Sequence, residues 1–391
     1  MKRVKLFIFP ILSILAVTSC VNKPAPIVPN IVEFTLSDVD TSSFDIHTDW
    51  QKEFIESSDP SQRVKDDSSH YGYFSNSKPN PITISFTETN DKDVSPSCYY
   101  IEVSENGEFS NASKTMKIEL HASTKSYDLY NFKINTNYQY RVLANYGKNH
   151  IFSSEPKSFI VNGTTPRNYF VDGVENVRDL GGYTINDGVY KQGLLYRCGR
   201  LNKSSGPTIT ESGKTQFIEE LHVKTEVDLR KTSDSEFAEM ENYDIHESPA
   251  GARVNYVTCP MEYASSNIFT NSKNLTGLRR FFDILSDRNN YPIAFHCSIG
   301  TDRTGALSYA LGALMGVSEE ELMLDYLFSN LANISGRRYK EEINGEDFYV
   351  QGIKNATGET LSQKAENYLI STVGVSKTTL DTIRSILIES N

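Results

Sequence analysis

The sequence predicts two folded parts of different class, an all-β sandwich followed by an α/β domain whose central sheet is flanked by helices. Three observations lead there. Between residue 31 and about residue 163, short alternating segments rich in β-branched and aromatic residues are separated by turn-rich stretches. After Gly163-Thr-Thr-Pro166 the pattern changes to strands alternating with helices and stays so to the end. A length of 391 residues also exceeds what one hydrophobic core usually supports.

In the first part, Ser43 to Trp50, Pro81 to Phe86, Tyr99 to Val103, Tyr138 to Ala144 and Lys157 to Val161 are the expected strands. The polar stretch Ser57 to Pro81 reads as long loops. Trp50, the only tryptophan, ends an early strand, and Tyr138 sits in Phe132-Lys-Ile-Asn-Thr-Asn-Tyr138-Gln-Tyr140-Arg-Val142. These positions resemble the fibronectin type III pattern, in which a Trp anchors the core and a Tyr forms a corner before a late strand. An unrelated β-domain with an aromatic core is the alternative. Either is expected to serve as a spacer or binding module, and its partner is not legible from the sequence.

Residues 1–20 read as an export signal: Lys2, Arg3 and Lys5 precede the apolar run Leu6 to Val17, which is too short for a comfortable membrane span. The ending Val17-Thr18-Ser19-Cys20 resembles a bacterial lipobox, which implies that Cys20 is lipidated and that the protein is anchored to a membrane of the cell envelope, periplasmic or surface-exposed. An ordinary cleaved signal with Cys20 incidental is the other reading. Residues 21–30, with Pro24, Pro26 and Pro29, form an extended tether. The net charge of -11, without Lys/Arg blocks, gives no electrostatic reason to bind nucleic acid. The remaining cysteines, Cys98, Cys198, Cys259 and Cys297, lack CxxC or Cys/His spacing, and the seven histidines are scattered, so neither a metal nor another cofactor is expected. In an oxidising envelope, Cys198 or Cys259 is a candidate disulfide partner for Cys297.

Within residues 166–391, Glu211 to Leu221 and Leu278 to Leu285 have helical spacing and Thr225 to Leu229 is strand-like. Pro292-Ile-Ala-Phe-His296 is a short buried strand, and Thr304 to Met315 carries the apolar face of a buried helix that stops at Gly316. Ser318 and Glu321 form a capping box for the next helix.

Between that strand and helix lies His296-Cys297-Ser298-Ile299-Gly300-Thr301-Asp302-Arg303-Thr304-Gly305. A thiolate approaching a phosphate dianion needs concentrated positive potential without a basic side chain blocking attack. A strand-to-helix loop supplies it through inward N–H groups, the helix dipole and a two-pronged guanidinium. The same field favours Cys297 as thiolate nucleophile and makes Arg303 the phosphate clamp. Five residues between them let Ser298, Ile299, Gly300, Thr301, Asp302 and Arg303 circle one phosphoryl group, with Gly300 permitting close backbone approach.

This loop resembles the Cys-x5-Arg signature of the protein tyrosine phosphatase superfamily, which includes dual-specificity enzymes. More narrowly, Asn176-Val-Arg-Asp-Leu-Gly-Gly-Tyr183, Tyr196-Arg-Cys-Gly-Arg-Leu201, Glu226-Val-Asp-Leu-Arg230 and the loop's Asp-Arg-Thr-Gly are similar to the bacterial tyrosine phosphatase and lipid phosphatase family. The resemblance covers residues 166–391. It implies hydrolysis of phosphate monoesters through a phosphocysteine, with Asp302 or Asp228 protonating the leaving group. Asp302 is preferred because its backbone fixes it beside the phosphate; Asp228 alternatively forms a structural ion pair with Arg230 or Arg178. Thr304 can donate toward the departing sulfur or cap the helix. His296 shapes the loop, the motif of Arg178, Asp179, Gly181 and Gly182 is structural first, and Arg197 is open between the two roles.

Many family members carry Lys where this chain has Thr301, which lowers the expectation of phosphoinositide or inositol phosphate substrates and leaves phosphotyrosine as the leading substrate. Inositol phosphates remain the alternative. A reading of another class is a catalytically silent phosphate-binding or adhesion lipoprotein, whose working part would be the β-domain.

Overall fold

The structure, a computed structural model, describes residues 27–39, 44–66, 74–147, 150–186, 188–203, 206–231, 247–262, 268–334, 336–340 and 349–390. The export signal, Cys20 and residues 21–26 of the tether lie outside the described residues.

The first part contains two antiparallel sheets. One has the order β1 (Val32–Leu36), β2 (Ile82–Asn90), β5 (Ser126–Leu129). The other has the order β4 (Thr115–His121), β3 (Cys98–Glu105), β6 (Thr136–Asn145), β7 (Ile151–Ser153), with β8 (Lys157–Val161) also pairing β6. Alternating residues from both sheets share one apolar core, among them Ile82, Ile84 and Phe86 of β2, Tyr99, Ile101 and Val103 of β3, and Tyr140 and Val142 of β6. Between the sheets the rings of Phe86 and Tyr99 meet edge to face at 4.9 Å. Tyr138 is buried, and its hydroxyl accepts the Lys133 N–H at 2.9 Å.

Two expectations for this part are corrected. Trp50 does not end a strand: Asp49–Ile55 is a helix, α1. Thr48 caps it and Gln51 completes a capping box, a local preference that outweighs the aromatic content. Arg63 stacks over the Trp50 ring at 4.4 Å, and both that ring and Phe54 of α1 pack on the core of the second part. Ser57 to Pro81 is not all loop either. Pro60–Asp66 forms α2, with Pro60 in the first helical position and Asp59 accepting the Gln62 N–H at 3.0 Å, and Phe74–Ser77 forms one more turn.

The second part is built on a five-stranded sheet. Its order is β12 (Asn255–Thr258), β11 (Thr225–Asp228), β13 (Ile293–His296), β10 (Leu195–Cys198), β9 (Arg178–Asp179). All pairs are parallel except β10 with β9. The pleat sends Leu195, Val227, Ile293 and Phe295 into one core, with helices α3 (Leu275–Leu285), α4 (Arg303–Met315), α5 (Glu319–Phe328), α6 (Leu361–Tyr368) and α7 (Lys377–Leu387). Tyr196, Cys198 and Ala294 face the other way, into a core continuous with that of the β-sheets. The apolar interior is therefore not divided at residue 163. Register places Cys198, Asp228 and His296 level with one another at the carboxyl ends of the strands, the usual position for a ligand site in such sheets.

The two parts are also joined by a buried acid. Glu220, on a wide helical turn Gln216–Glu220, accepts the Asn131 side-chain N–H at 2.6 Å, and Asn131 in turn bonds both backbone groups of Phe170. Burial pushes the Glu220 carboxyl up to about 8, against the lowering effect of Asn131 and Tyr127. A carboxyl raised on folding holds its proton in the native state after the unfolded chain has lost it, so stability declines as pH rises from the ordinary value of 4.5 to about 8. Glu220→Gln is expected to flatten that decline, read from urea unfolding free energies measured across the interval.

Candidate active site

β13 delivers His296 and then Cys297, the loop runs to Arg303, and α4 begins there with its amino end toward the loop. Every residue of α4 is buried, so the loop sits on a rigid apolar pedestal. Cys297, Thr301, Arg303 and Thr304 are all buried. α4 ends at Gly316 with φ +95°.

The scaffold takes the loop's carbonyl groups one after another. His296 Nδ1 lies 3.0 Å from the Cys297 carbonyl, and the Arg200 N–H donates to that of Ser298 at 3.0 Å. Asn176 Nδ2 donates to the carbonyls of Ile299 and Gly300, both at 3.2 Å, and Arg197 Nη2 donates to Gly300 at 2.6 Å. Peptide planes whose oxygens are drawn outward turn the following N–H groups, those of Ser298, Ile299, Gly300 and Thr301, to the opposite side. Gly300 has φ +73°, and a Cβ there would stand 2.5 Å from the Cys198 carbonyl oxygen, so no side chain fits.

The donors are themselves locked. Asp325 of α5 accepts Arg178 Nε at 2.8 Å and Arg197 Nη1 at 2.6 Å, and Arg178 Nη1 holds Asn176 Oδ1 at 2.5 Å. Burial would raise the Asp325 carboxyl, yet the two guanidinium groups keep it below the usual carboxylate range. Arg197 thus braces the loop. Asp179 stands apart, paired with buried Arg167 at 2.6 Å and accepting the Gly181 and Gly193 N–H groups. On the other side, Arg303 Nη1 donates to the Met261 carbonyl at 3.1 Å.

Beneath the thiol lies a second charged cluster. His296 Nε2 is 2.9 Å from Glu226 Oε1 while its Nδ1 faces the Cys297 carbonyl, so both ring nitrogens meet acceptors. Burial pulls this imidazole's pKa down, but Asp228 and Glu226 more than offset it and favour the cation. Asp228 is enclosed: Arg230 takes both its oxygens, at 3.0 and 2.7 Å, and Tyr256 donates to it at 2.8 Å. Burial raises its carboxyl, but His296 and Arg230 hold it below the ordinary value. Asp228 is paired with Arg230, while Arg178 is taken by Asp325. Asp302 differs. Its side chain is 17% exposed, makes no helix-capping bond, and turns its Oδ2 to Thr301 Oγ1 at 3.3 Å and Arg338 Nη2 at 3.5 Å. Thr304 Oγ1 is buried with no hydrogen-bond partner among the described residues.

Ser298 and Ile299 border a cleft of about 280 Å³ that also contains Arg200, Lys203, Glu175 and Asn333. Ser298 Oγ accepts Arg200 Nη1 at 2.6 Å. The described cysteines are all free thiols, and Cys198 and Cys259 are both buried. Sequence reasoning missed the loop-bracing roles of Asn176 and Asp325, and Arg338 altogether. Asp325 could have been noticed as a lone acid in the apolar run Leu322-Met-Leu-Asp-Tyr-Leu-Phe328, and Asn176 has the positive φ, +59°, that Asn tolerates better than most residues.

A sequence model described as the tyrosine phosphatase family matches residues 169–389, more than half of the chain. A tyrosine-protein phosphatase candidate of Cupriavidus necator is 24% identical over 184 residues, a match covering 41% of this chain and 63% of the relative, less than two thirds of its length. Among solved structures, the core catalytic domain of the PP-IP phosphatase SIW14 from S. cerevisiae, in complex with citrate, aligns at 16% identity and a TM-score of 0.27, covering 42% of this chain and 82% of that one. A second structure of the Siw14 catalytic core aligns at 12% identity and 0.25, covering 50% and 87%. Scores this low carry no inference.

Two outcomes follow from the geometry. Gly300→Ala is expected to lower affinity for orthovanadate by about tenfold or more, with the far-ultraviolet circular dichroism spectrum retained, because the left-handed turn cannot take a Cβ. Asp325→Ala leaves two buried guanidinium groups without their shared anion and is expected to cost about 3–5 kcal/mol in chemical unfolding.

Proposed function

Since the chain belongs to the tyrosine phosphatase family, we propose that it is a phosphomonoester hydrolase working through a phosphocysteine, with phosphotyrosine proteins as the first substrate class and dual specificity within reach. The observation that carries this reading is the anchoring of the carbonyls from Cys297 to Gly300 by donors of the scaffold, which leaves the N–H groups that follow them to an anion.

Cys297 attacks phosphorus in line, forming an S–P bond as the P–O bond to the leaving group breaks. Arg303 and the loop amides take up the charge on the equatorial oxygens. Asp302, the more accessible carboxylic acid, gives its proton to the leaving oxygen. Water then attacks the phosphocysteine, Asp302 accepts a water proton, and the free hydroxyl of Thr304 donates toward the departing sulfur. Inositol phosphates are the second reading, favoured by Arg200 and Lys203 in the cleft beside Ser298, which suit a substrate with a further anionic group.

The N-terminal β-sheets are, on this reading, a fibronectin type III-like module, supported by the Tyr138 hydroxyl receiving the N–H of Lys133 five residues upstream. Residues 1–20, with Cys20, are read as a lipoprotein signal that anchors the enzyme to a membrane of the cell envelope.

Cys297→Ser is expected to abolish p-nitrophenyl phosphate turnover, and Arg303→Met to reduce kcat/KM by about 10³-fold or more, as loss of a preorganised charge on the phosphoryl group does. Rapid quench of wild-type enzyme should trap a phosphocysteine. Turnover retained by Cys297→Ser defeats the mechanism, and a silent phosphate-binding protein would show no wild-type turnover. A panel of phosphotyrosine, phosphoserine and phosphothreonine peptides, phosphoinositides and inositol hexakisphosphate ranks the substrates.

A further inference from the structure

Asp302 occupies the residue before α4, where an Asp side chain ordinarily bonds the helix's own N–H groups, yet it makes no such bond. It is turned instead toward Arg338, whose Nη2 lies 3.5 Å from Asp302 Oδ2 and donates to Thr301 Oγ1 at 3.2 Å. Arg338 is 36 residues further along the chain. The strap that carries it, described over residues 329–334 and 336–340, follows α5 and brings the Arg338 guanidinium to Thr301 and Asp302 of the loop.

Two sets of contacts fix that strap. Fully buried Asn330 binds the Arg338 backbone on both sides, its Oδ1 accepting the N–H and its Nδ2 donating to the carbonyl, each at 2.8 Å. The second set comes from the N-terminal part. The Phe54 ring of α1 meets Phe328 at 5.8 Å, the Lys340 N–H donates to Ser61 Oγ of α2 at 2.9 Å, and the Lys65 ammonium lies 5.3 Å from the centre of the Tyr339 ring. Phe54, Val64 and Leu331 are buried in one core. Helices α1 and α2, inserted between strands of the first part, therefore grip both ends of the segment that brings Arg338 to the loop.

We propose that Arg338 is a positioning residue that holds Asp302 off the helix cap in the orientation from which it delivers its proton, and that α1 and α2 set the place of Arg338. The N-terminal part then belongs to the working enzyme and is more than a spacer. This rests on Asp302 as the general acid. A carboxylate free to rotate onto the α4 N–H groups would be spent as a helix cap, and the contacts of Arg338 and Thr301 with Oδ2 oppose that rotation.

The test is a series of aryl phosphates, from easily expelled nitrophenols to poorly expelled alkylphenols, measured on the full chain with kcat and KM resolved. Proton donation matters most for the poorest leaving group. Asp302→Asn should lose about 10²-fold in kcat there and little with the best, the size usual for removing a general acid. Arg338→Met should show the same slope at about tenfold, with KM within about threefold of wild type, and Arg338→Lys should recover part of the loss. The double variant should be no worse than Asp302→Asn alone, because the two act as one unit. Ser61→Ala and Phe54→Leu, both remote from the chemistry, should give the Arg338→Met slope in milder form with thermal melts confirming the fold. A flat response of Arg338→Met beside a steep one for Asp302→Asn overturns the inference while leaving the proposed function intact. A uniform loss across all esters in the α1 and α2 variants overturns the role of the insert. A flat response of Asp302→Asn removes the acid itself and the inference with it.

Discussion

A loop can offer its amides to an anion only if something else takes its carbonyls, and a cluster of buried side chains, Asn176, Arg178, Arg197, His296 and Asp325, serves that requirement. Four consecutive carbonyls, from Cys297 to Gly300, each meet a donor supplied by another element: the preceding His296, the turn after β10, the Asn176 turn and the guanidinium on β10. Left unmet inside a protein, such groups cost about 1–3 kcal/mol each, so the arrangement also resists collapse of the loop when no anion is bound. Asp325 then ties two of the donors to α5, and α5 leads into the strap bearing Arg338.

The same arrangement explains why so many charges are buried here. An isolated carboxylate or guanidinium could not survive at these depths, and the interior is built from ions that neutralise one another: Arg178 and Arg197 on Asp325, Arg230 on Asp228, Arg167 on Asp179. Asp302 differs in kind, since it keeps some solvent exposure and, among the described residues, meets Arg338 at 3.5 Å through one oxygen instead of the fork that grips Asp228. The two carboxylates thus differ in environment, Asp228 enclosed by its partners and Asp302 partly open to solvent.

How much was legible depended on whether the determinant was local. The strand, the loop and α4 were readable because period, glycine placement and the stop at Gly316 all sit within two dozen residues. The capping box of Ser318 and Glu321 was read, while the equivalent box of Thr48 and Gln51 was passed over for the aromatic content around Trp50, although the signal is the same. Cys297 and Arg303 stand out in the sequence because their spacing fits the handling of a phosphate. Asp228 could not be assigned, because Tyr256 and the fork of Arg230 are features of folded geometry. Arg338 was invisible for the same reason, reaching the loop across 36 residues from Asp302 with no motif linking them, while Asp325 shows in the sequence only as a lone acid in an apolar run and acts on the loop through Arg178 and Arg197.

The two N-terminal helices bear on how such a protein could have been assembled. Phe54 and Val64 complete an apolar core to which the α/β part contributes most of the residues, and the core on the sheet's other face runs on into the β-sheets. The α/β part severed near residue 166 would therefore carry a greasy scar on both faces, a surface prone to self-association. Recombination between genes could not exchange the front half for an arbitrary sandwich without also importing a plug of matching shape. The pair is expected to have been inherited, and to vary, as one unit.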